Sequence, residues 1–109
     1  MKSEVKPLFQ PINVGGIIIP NRIVMPPMDS NFTNINGEPE RKMVQYLRNR
    51  AKGGTGLIIQ EAASVSWPEG KISNRQLRIN DPKIVASLFD ITDAVHAFGS
   101  KIIVPFKIT

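Results

Sequence analysis

The hydrophobic residues of this chain fall into short continuous runs, separated by longer stretches that mix polar and apolar residues. Short apolar runs bounded by turn residues are typical of strands that are buried on both faces. Three runs predict such strands: residues 23–25, 57–59 and 102–104. The stretches between them are long enough to hold a helix each, so strands and helices are expected to alternate.

A β-hairpin is predicted ahead of the first of these strands. Two apolar runs, residues 11–14 and 17–19, flank the pair Gly15-Gly16. Both central positions of a two-residue hairpin turn take positive φ, which glycine adopts without steric cost. Pro20 would end the hairpin, because proline cannot donate to the hydrogen-bond ladder.

Between the first two strands, apolar residues recur at helical spacing and predict an α-helix. Pro39 suits a first-turn position, with Glu38 and Glu40 beside the positive end of the helix dipole. Gly53-Gly54 would stop the helix as a left-handed C-terminal cap. The apolar positions of this helix are Met43, Val44, Leu47 and Ala51.

A second helix is predicted after a polar connection, residues 64–80. Asp81 is a favoured N-cap residue, Pro82 suits the first turn, and Gly99 would close the helix. Its apolar face consists of Ile84, Val85, Leu88, Ile91, Thr92 and Val95.

The order hairpin, strand, helix, strand, helix, strand predicts an α/β fold with a parallel sheet and both helices on one face. In such sheets, binding and catalytic residues collect beyond the carboxyl ends of the strands. Here those ends are residues 26–29, 61–63 and 105–107. The consecutive prolines Pro26 and Pro27 are tolerated at such an end, where ladder bonds are no longer needed.

Composition narrows the classes of function. The chain has 109 residues, a net charge of +5, no cysteine and one histidine. Without cysteine there is no disulfide framework or thiolate site, and with a single histidine no metal site is expected. The charge indicates either a basic surface or an anionic partner. We favour the basic surface, because the charges alternate with apolar residues.

The sequence is interpreted as a single domain over residues 1–109, located in the cytoplasm. The charged N-terminus is followed by no apolar targeting segment. The longest uncharged run, residues 7–21, contains three prolines and two glycines, and it is too short to span a bilayer. We therefore expect neither a membrane nor a nucleic acid as a partner.

Two titratable residues are candidates for chemistry. Glu61, at a predicted strand end, is either a general base or a carboxylate paired with one of the arginines, and we favour the ion pair. His96 lies late in the second helix, where a structural role or a favourable interaction with the helix dipole is commoner than catalysis.

Three segments of the chain resemble the start of the old yellow enzyme family. These segments are "LFQPINVGGIIIPNRIVMPPM", "YLRNRAKGGTGLIIQEAASV" and "ITDAVHAFGSKIIV", and together they extend from Leu8 to Val104. The family contains FMN-dependent oxidoreductases that use NADH or NADPH, including 2-enoate and 2,4-dienoyl-CoA reductases. The segments occur in the family's order and spacing, so the resemblance is specific.

The resemblance implies the N-terminal part of a (β/α)8 TIM barrel, with a bottom hairpin followed by three strands and two helices. A complete barrel of this kind needs about 250 residues, so the domain is expected to be incomplete. The family's substrate-binding His/Asn or His/His pair, its proton-donating tyrosine and its FMN phosphate site belong to later segments. No catalytic residue can therefore be named in this chain.

The resemblance also implies which residues face the cofactor. Pro27 and Met28 would pack on or beside the isoalloxazine ring, and Asp29 takes the place of a residue that tunes the flavin. Ala62 matches a small residue that lets the flavin lie close. We call Pro27, Met28, Asp29 and Ala62 the candidate flavin surface. Pro105 is a departure, because the family usually has a flavin-binding glutamine there.

The implied function is that of an N-terminal fragment of an FMN-dependent NAD(P)H oxidoreductase. The complete enzyme would transfer hydride from flavin N5 to an activated alkene of the enoate or enone type, and the isolated chain is expected to be inactive. Two alternatives have no catalytic activity. One is a small basic binding protein that uses Arg41, Lys42, Arg48, Arg50 and Lys52. The other is a structural piece that associates with itself through an open sheet edge.

Overall fold

The computed structural model describes residues 3–67 and 75–107, and its elements follow the predicted alternation. In chain order the strands are β1 Ile12–Val14, β2 Ile17–Ile19, β3 Val24–Met25, β4 Leu57–Ile59, β5 Ala63–Ser64, β6 Lys101–Ile103 and β7 Phe106–Lys107. The helices are α1 Arg41–Lys52 and α2 Pro82–His96, and a 3₁₀ helix over Ser3–Phe9 precedes the hairpin. The third predicted strand begins one residue earlier than expected.

The hairpin of β1 and β2 is confirmed. Gly15 and Gly16 have φ values of 59° and 90°, as a two-residue hairpin turn requires. The Asn13 side-chain oxygen accepts a hydrogen bond from the Gly16 backbone N–H at 2.9 Å. After the hairpin, Arg22 N–H donates to the carbonyl of Leu8 at 2.8 Å, which ties the chain back to the 3₁₀ helix.

The central sheet has the strand order β3-β4-β6 and is parallel throughout, as predicted. Met25, Ile58 and Ile102 stand in register, and their side chains face both helices. The buried residues of this core cluster are Met43, Leu47, Ala51, Ile58, Ile91 and Val95. Both helices therefore pack on one face of the sheet.

The prediction that these strands are buried on both faces is wrong for this chain. Val24 is 47% exposed and Ile103 is 50% exposed, although both lie in the central sheet. Their side chains alternate with those that face the helices, because successive residues of a strand point to opposite faces. Within residues 3–67 and 75–107, the helices cover only one of these faces, so the other stays open.

Helix α1 begins two residues later than the predicted first-turn position of Pro39. Pro39 forms an isolated antiparallel bridge with Thr33, and Glu40 N–H donates to the carbonyl of Phe32 at 3.2 Å. These tertiary contacts hold the segment extended, so Glu40 becomes the N-cap. The predicted C-terminal stop is confirmed, since Gly54 has a φ of 106° directly after the Gly53 cap.

Helix α2 begins as predicted, with Pro82 in its first turn. The Asp81 carboxylate accepts a hydrogen bond from the Lys83 backbone N–H at 2.9 Å. Ile84, Ile91 and Val95 are buried, but Val85 is exposed, so the predicted apolar face was too wide.

Beyond the central sheet, the chain forms a second parallel pair of strands, β5 and β7. Ala63 N–H donates to the carbonyl of Pro105 at 2.9 Å, at the junction between the two sheets. Ser64 exchanges backbone hydrogen bonds with Leu77 and Ile79, at 2.8 and 3.0 Å. The predicted polar connection thus begins as a strand, and its residues 68–74 lie outside the described part of the chain.

Candidate functional site

The carboxyl ends of β3 and β4 are joined by a hydrogen bond between Ser30 and Glu61. The Ser30 hydroxyl donates to Glu61 Oε1 at 2.5 Å, and the Ser30 backbone N–H lies 3.4 Å from the same oxygen. Ser30 directly follows Asp29 in the chain, and Ala62 directly follows Glu61. The structure therefore brings the two parts of the candidate flavin surface to the same end of the sheet.

The residues that follow β3 present an uncovered apolar surface. Met28 is 66% exposed, and Pro27 and Asp29 are exposed as well. Pro27 has no backbone N–H, and Met28 has a flexible, polarizable side chain. This surface is therefore suited to a flat, largely apolar group.

Ala62, in the segment that follows β4, is held in place through its backbone carbonyl. Its carbonyl accepts a hydrogen bond from the Gln76 side-chain amide. Gln76 is fully buried, and its segment pairs with β5 through Ser64. Sequence reasoning missed Gln76, because a single glutamine in a polar connection carries no periodic signal.

Glu61 is buried, and this burial raises the pKa of its carboxyl above the ordinary value of 4.5. The hydrogen bonds from Ser30 lower the pKa, and the negative charge of Asp29 raises it, but desolvation has the largest effect. The protonated form is therefore favoured more than in a solvated glutamate.

The expected ion pair between Glu61 and an arginine is wrong for the arginines that the structure describes. The partner of Glu61 is Ser30, whereas Arg75 lies 3.5 Å from Glu40. The sequence placed Glu61 at a strand end correctly but contained no signal for which side chain would reach it.

The cations of α1 contact aromatic rings. Lys42 lies over the ring of Phe32 at 5.3 Å, and Arg50 lies over the ring of Tyr46 at 4.4 Å. Such contacts are typical of long cationic side chains that cover apolar surface while their charged ends stay in water. They support the interpretation of the positive charge as a basic surface.

A cavity of about 290 Å³ lies between the hairpin and the amino-terminal ends of β4 and β6. Its lining includes Ile17 and Ile19 of the hairpin, together with Leu57 and Lys101, the first residues of β4 and β6. It includes no residue of the candidate flavin surface.

Across residues 3–67 and 75–107, no group of three His, Asp or Glu side chains is placed to hold a metal ion. No helix in this part of the chain is long and apolar enough to cross a membrane.

Comparison with known proteins identifies the family. The NADH:flavin oxidoreductase / NADH oxidase family model matches residues 7–109. The chain is 44% identical over 95 residues to an NADH oxidase of Thermoanaerobacter brockii, a match that covers 87% of this chain and 15% of the relative. It is 34% identical over 109 residues to a cinnamate reductase of Clostridium sporogenes, covering 94% of this chain and 16% of the relative.

The fold agrees with this match. The crystal structure of old yellow enzyme from Pichia sp. AKU4542 superposes with a TM-score of 0.85 at 30% identity, covering 93% of this chain and 26% of that one. The old yellow enzymes are TIM barrels, so the predicted incomplete barrel is confirmed. The chain spans about 15% of the length of the curated relatives it matches.

The family uses FMN as its cofactor and NADH or NADPH as its reductant. The relatives are oxidoreductases, as the resemblance implied. The match covers both ends of the candidate flavin surface, from the segment after β3 to the segment after β4. This chain belongs to the NADH:flavin oxidoreductase / NADH oxidase family.

Proposed function

We propose that this chain supplies part of the surface on which the isoalloxazine ring of FMN rests, in a protein that reduces activated alkenes with NADH or NADPH. The observation that carries this proposal is the Ser30–Glu61 hydrogen bond, since it joins the two segments of the candidate flavin surface. Exposed Met28 and Pro27, together with the small Ala62 at the same end of the sheet, fit a planar ring that is largely apolar.

Each residue has a distinct part in this proposal. Pro27 offers a stiff backbone without a donor, and Met28 offers an adaptable apolar contact. Ala62 leaves space for the ring to lie close, and Asp29 places a negative charge near its edge. FMN, when bound, supplies the hydride chemistry, while the protein supplies orientation and electrostatics.

An activated alkene is the proposed substrate class. Its support is the family match, together with a relative named cinnamate reductase, because cinnamate is an alkene conjugated to a carboxylate. We propose that the 109-residue chain by itself does not catalyse this reaction. We further propose that it forms one partial domain over residues 1–109 and works in the cytoplasm.

Self-association is the second candidate function. Its support comes from residues 3–67 and 75–107. There, one face of the central sheet is uncovered, with Val24 and Ile103 about half exposed, and the outer edges of β3 and β6 pair with no further strand. A defined oligomer with a cooperative melt and no response to FMN would favour this role over the flavin role.

The test of the proposed function is a chimera. Residues 7–107 would replace the matching segment of the Clostridium sporogenes cinnamate reductase, and the flavin content and NADH-dependent reduction of cinnamate would be measured. The unmodified reductase is the control for both measurements, and a melting curve reports folding. Bound FMN with alkene-dependent NADH consumption is the expected result. A folded chimera without FMN would overturn the proposal.

A further inference from the structure

The hydroxyl of Ser30 makes two hydrogen bonds at the point where the chain turns away from β3. It donates to Glu61 Oε1 at 2.5 Å, and it accepts from the Phe32 backbone N–H at 3.2 Å. Between Ser30 and Phe32, Asn31 has a φ of 58°, in the left-handed region that asparagine adopts more readily than most residues other than glycine. Such conformations persist where the surrounding contacts hold them in place.

Glu61 is the more firmly held partner of the Ser30–Glu61 hydrogen bond. It is only 5% exposed, and the residues that follow it are anchored to other parts of the fold. The Ala62 carbonyl is bonded to Gln76, and the Ala63 N–H is bonded to Pro105. By contrast, β3 ends at Met25, so the segment that carries Pro27, Met28 and Asp29 runs beyond the paired strand.

A buried carboxyl group is costly unless its oxygens accept hydrogen bonds. Glu61 therefore favours the conformation in which Ser30 stays within reach, and this conformation in turn fixes the backbone of Asp29. The same contact gives the buried carboxyl of Glu61 a hydrogen-bond donor and restrains the segment after β3. Loss of either partner would free that segment.

We infer that Glu61 is a positioning residue, which holds Ser30 and thereby fixes the segment Pro27–Asp29 against Ala62. This inference rests on the proposed function, because it assigns the purpose of that fixed arrangement to flavin binding. Glu61 acts through Ser30 and need not touch the flavin itself. The hydrogen-bond acceptor, and not the negative charge, is the property that matters.

The test uses the ¹⁵N-labelled 109-residue chain and three variants. Glu61→Gln keeps an acceptor for Ser30 and removes the charge. Glu61→Ala removes the acceptor. Ser30→Ala removes only the donor hydroxyl and keeps the buried carboxyl, so it still tests the contact if Glu61→Ala fails to fold. Glu38→Ala, at an exposed glutamate, is the control. Amide exchange at residue 30 and Phe32, whose N–H groups bond to Glu61 Oε1 and to the Ser30 hydroxyl, reports the restraint. FMN-induced shifts of the Met28 and Asp29 amides report affinity.

In the Glu61→Ala and Ser30→Ala variants, we expect amide exchange at residue 30 and Phe32 to rise and the FMN dissociation constant to increase about tenfold. In Glu61→Gln, both quantities should stay within about twofold of wild type. If Glu61 had only a structural role, its substitution would change the melting temperature, and Glu61→Gln and Glu61→Ala would not differ in amide exchange or FMN affinity.

Three other outcomes would overturn the inference. If Glu61→Ala and Ser30→Ala bind FMN as wild type does, the positioning role is wrong and the proposed function stands. If Glu61→Gln loses as much affinity as Glu61→Ala, the charge acts directly and positioning is again wrong. If the wild-type chain shows no saturable FMN response, its flavin surface does not work in this chain, and the inference fails with it.

Discussion

Gly56 lies directly against Asn21, at the point where β3 and β4 begin. A Cβ atom on Gly56 would come within 2.7 Å of the Asn21 backbone oxygen and would also meet its side-chain oxygen. The Asn21 side chain has no freedom to move aside, since it donates to the Gly54 carbonyl at 2.7 Å and accepts from the Ile23 N–H at 3.0 Å. A side chain at residue 56 would therefore force Asn21 or the start of one strand to shift.

Gly56→Ala is expected to lower the free energy of unfolding by about 1–3 kcal/mol, the usual cost of forcing an extra group into a packed site. Urea unfolding followed by circular dichroism would measure this. Gly53→Ala is the matched control, because a Cβ there would lie 3.4 Å from its nearest neighbour at a negative φ. Equal stability of the Gly56→Ala and Gly53→Ala variants would contradict the close contact.

The N-terminus of α2 depends on the Asp81 side chain. Asp81→Ala removes the acceptor for the Lys83 N–H and should cost about 1 kcal/mol of stability. Asp81→Asn retains a side-chain oxygen at the same place and should cost much less. Thermal melts of both variants would test this, and equal losses for Ala and Asn would show that the cap hydrogen bond does not matter.

Glu61 makes stability depend on pH in a defined direction. Its folded pKa is raised above 4.5, mainly by burial, so the folded chain binds more protons than the unfolded chain between those two pKa values. The stability contribution is fully present below about pH 4.5 and is lost as the pH rises through the folded pKa. Asp29 is the neighbouring charged group that contributes to this shift.

We therefore expect the unfolding free energy of wild type to fall across this window, and that of Glu61→Gln to fall less steeply. Urea unfolding at several pH values from about 4 to about 8 would measure both slopes. Glu38→Gln, at an exposed glutamate, is the control for general charge effects. Parallel slopes for wild type and Glu61→Gln would show that Glu61 titrates normally.

Met28→Asp tests the candidate flavin surface directly. A carboxylate in place of an exposed apolar side chain must lose its water when a ring covers it, so FMN affinity should fall about tenfold or more. Quenching of flavin fluorescence on titration with the chain would measure the affinity. Phe89→Asp is the matched control, because Phe89 is also 66% exposed but lies on α2. Unchanged affinity in Met28→Asp would remove Met28 from the surface.

The sequence alone was sufficient wherever structure follows from neighbouring residues. The hairpin at Gly15-Gly16 and the start of α2 at Asp81-Pro82 were both predicted correctly, because turn φ values and helix caps are local properties. The parallel sheet also followed, since continuous apolar runs that alternate with amphipathic helices have few other arrangements. The resemblance to a flavin oxidoreductase family then came from long segments in a fixed order, and the family match confirmed it.

Only the tertiary structure decided which distant residues meet. Pro39 looked like a first-turn residue, but a bridge to Thr33 keeps it extended. Glu61 looked like a partner for an arginine, but the ends of β3 and β4 place it against Ser30, 31 residues earlier in the chain. Hydrophobic periodicity and capping report on near neighbours, whereas these contacts depend on how whole elements pack. The sequence by itself therefore determined the elements and the family, and packing determined the partners around the candidate flavin surface.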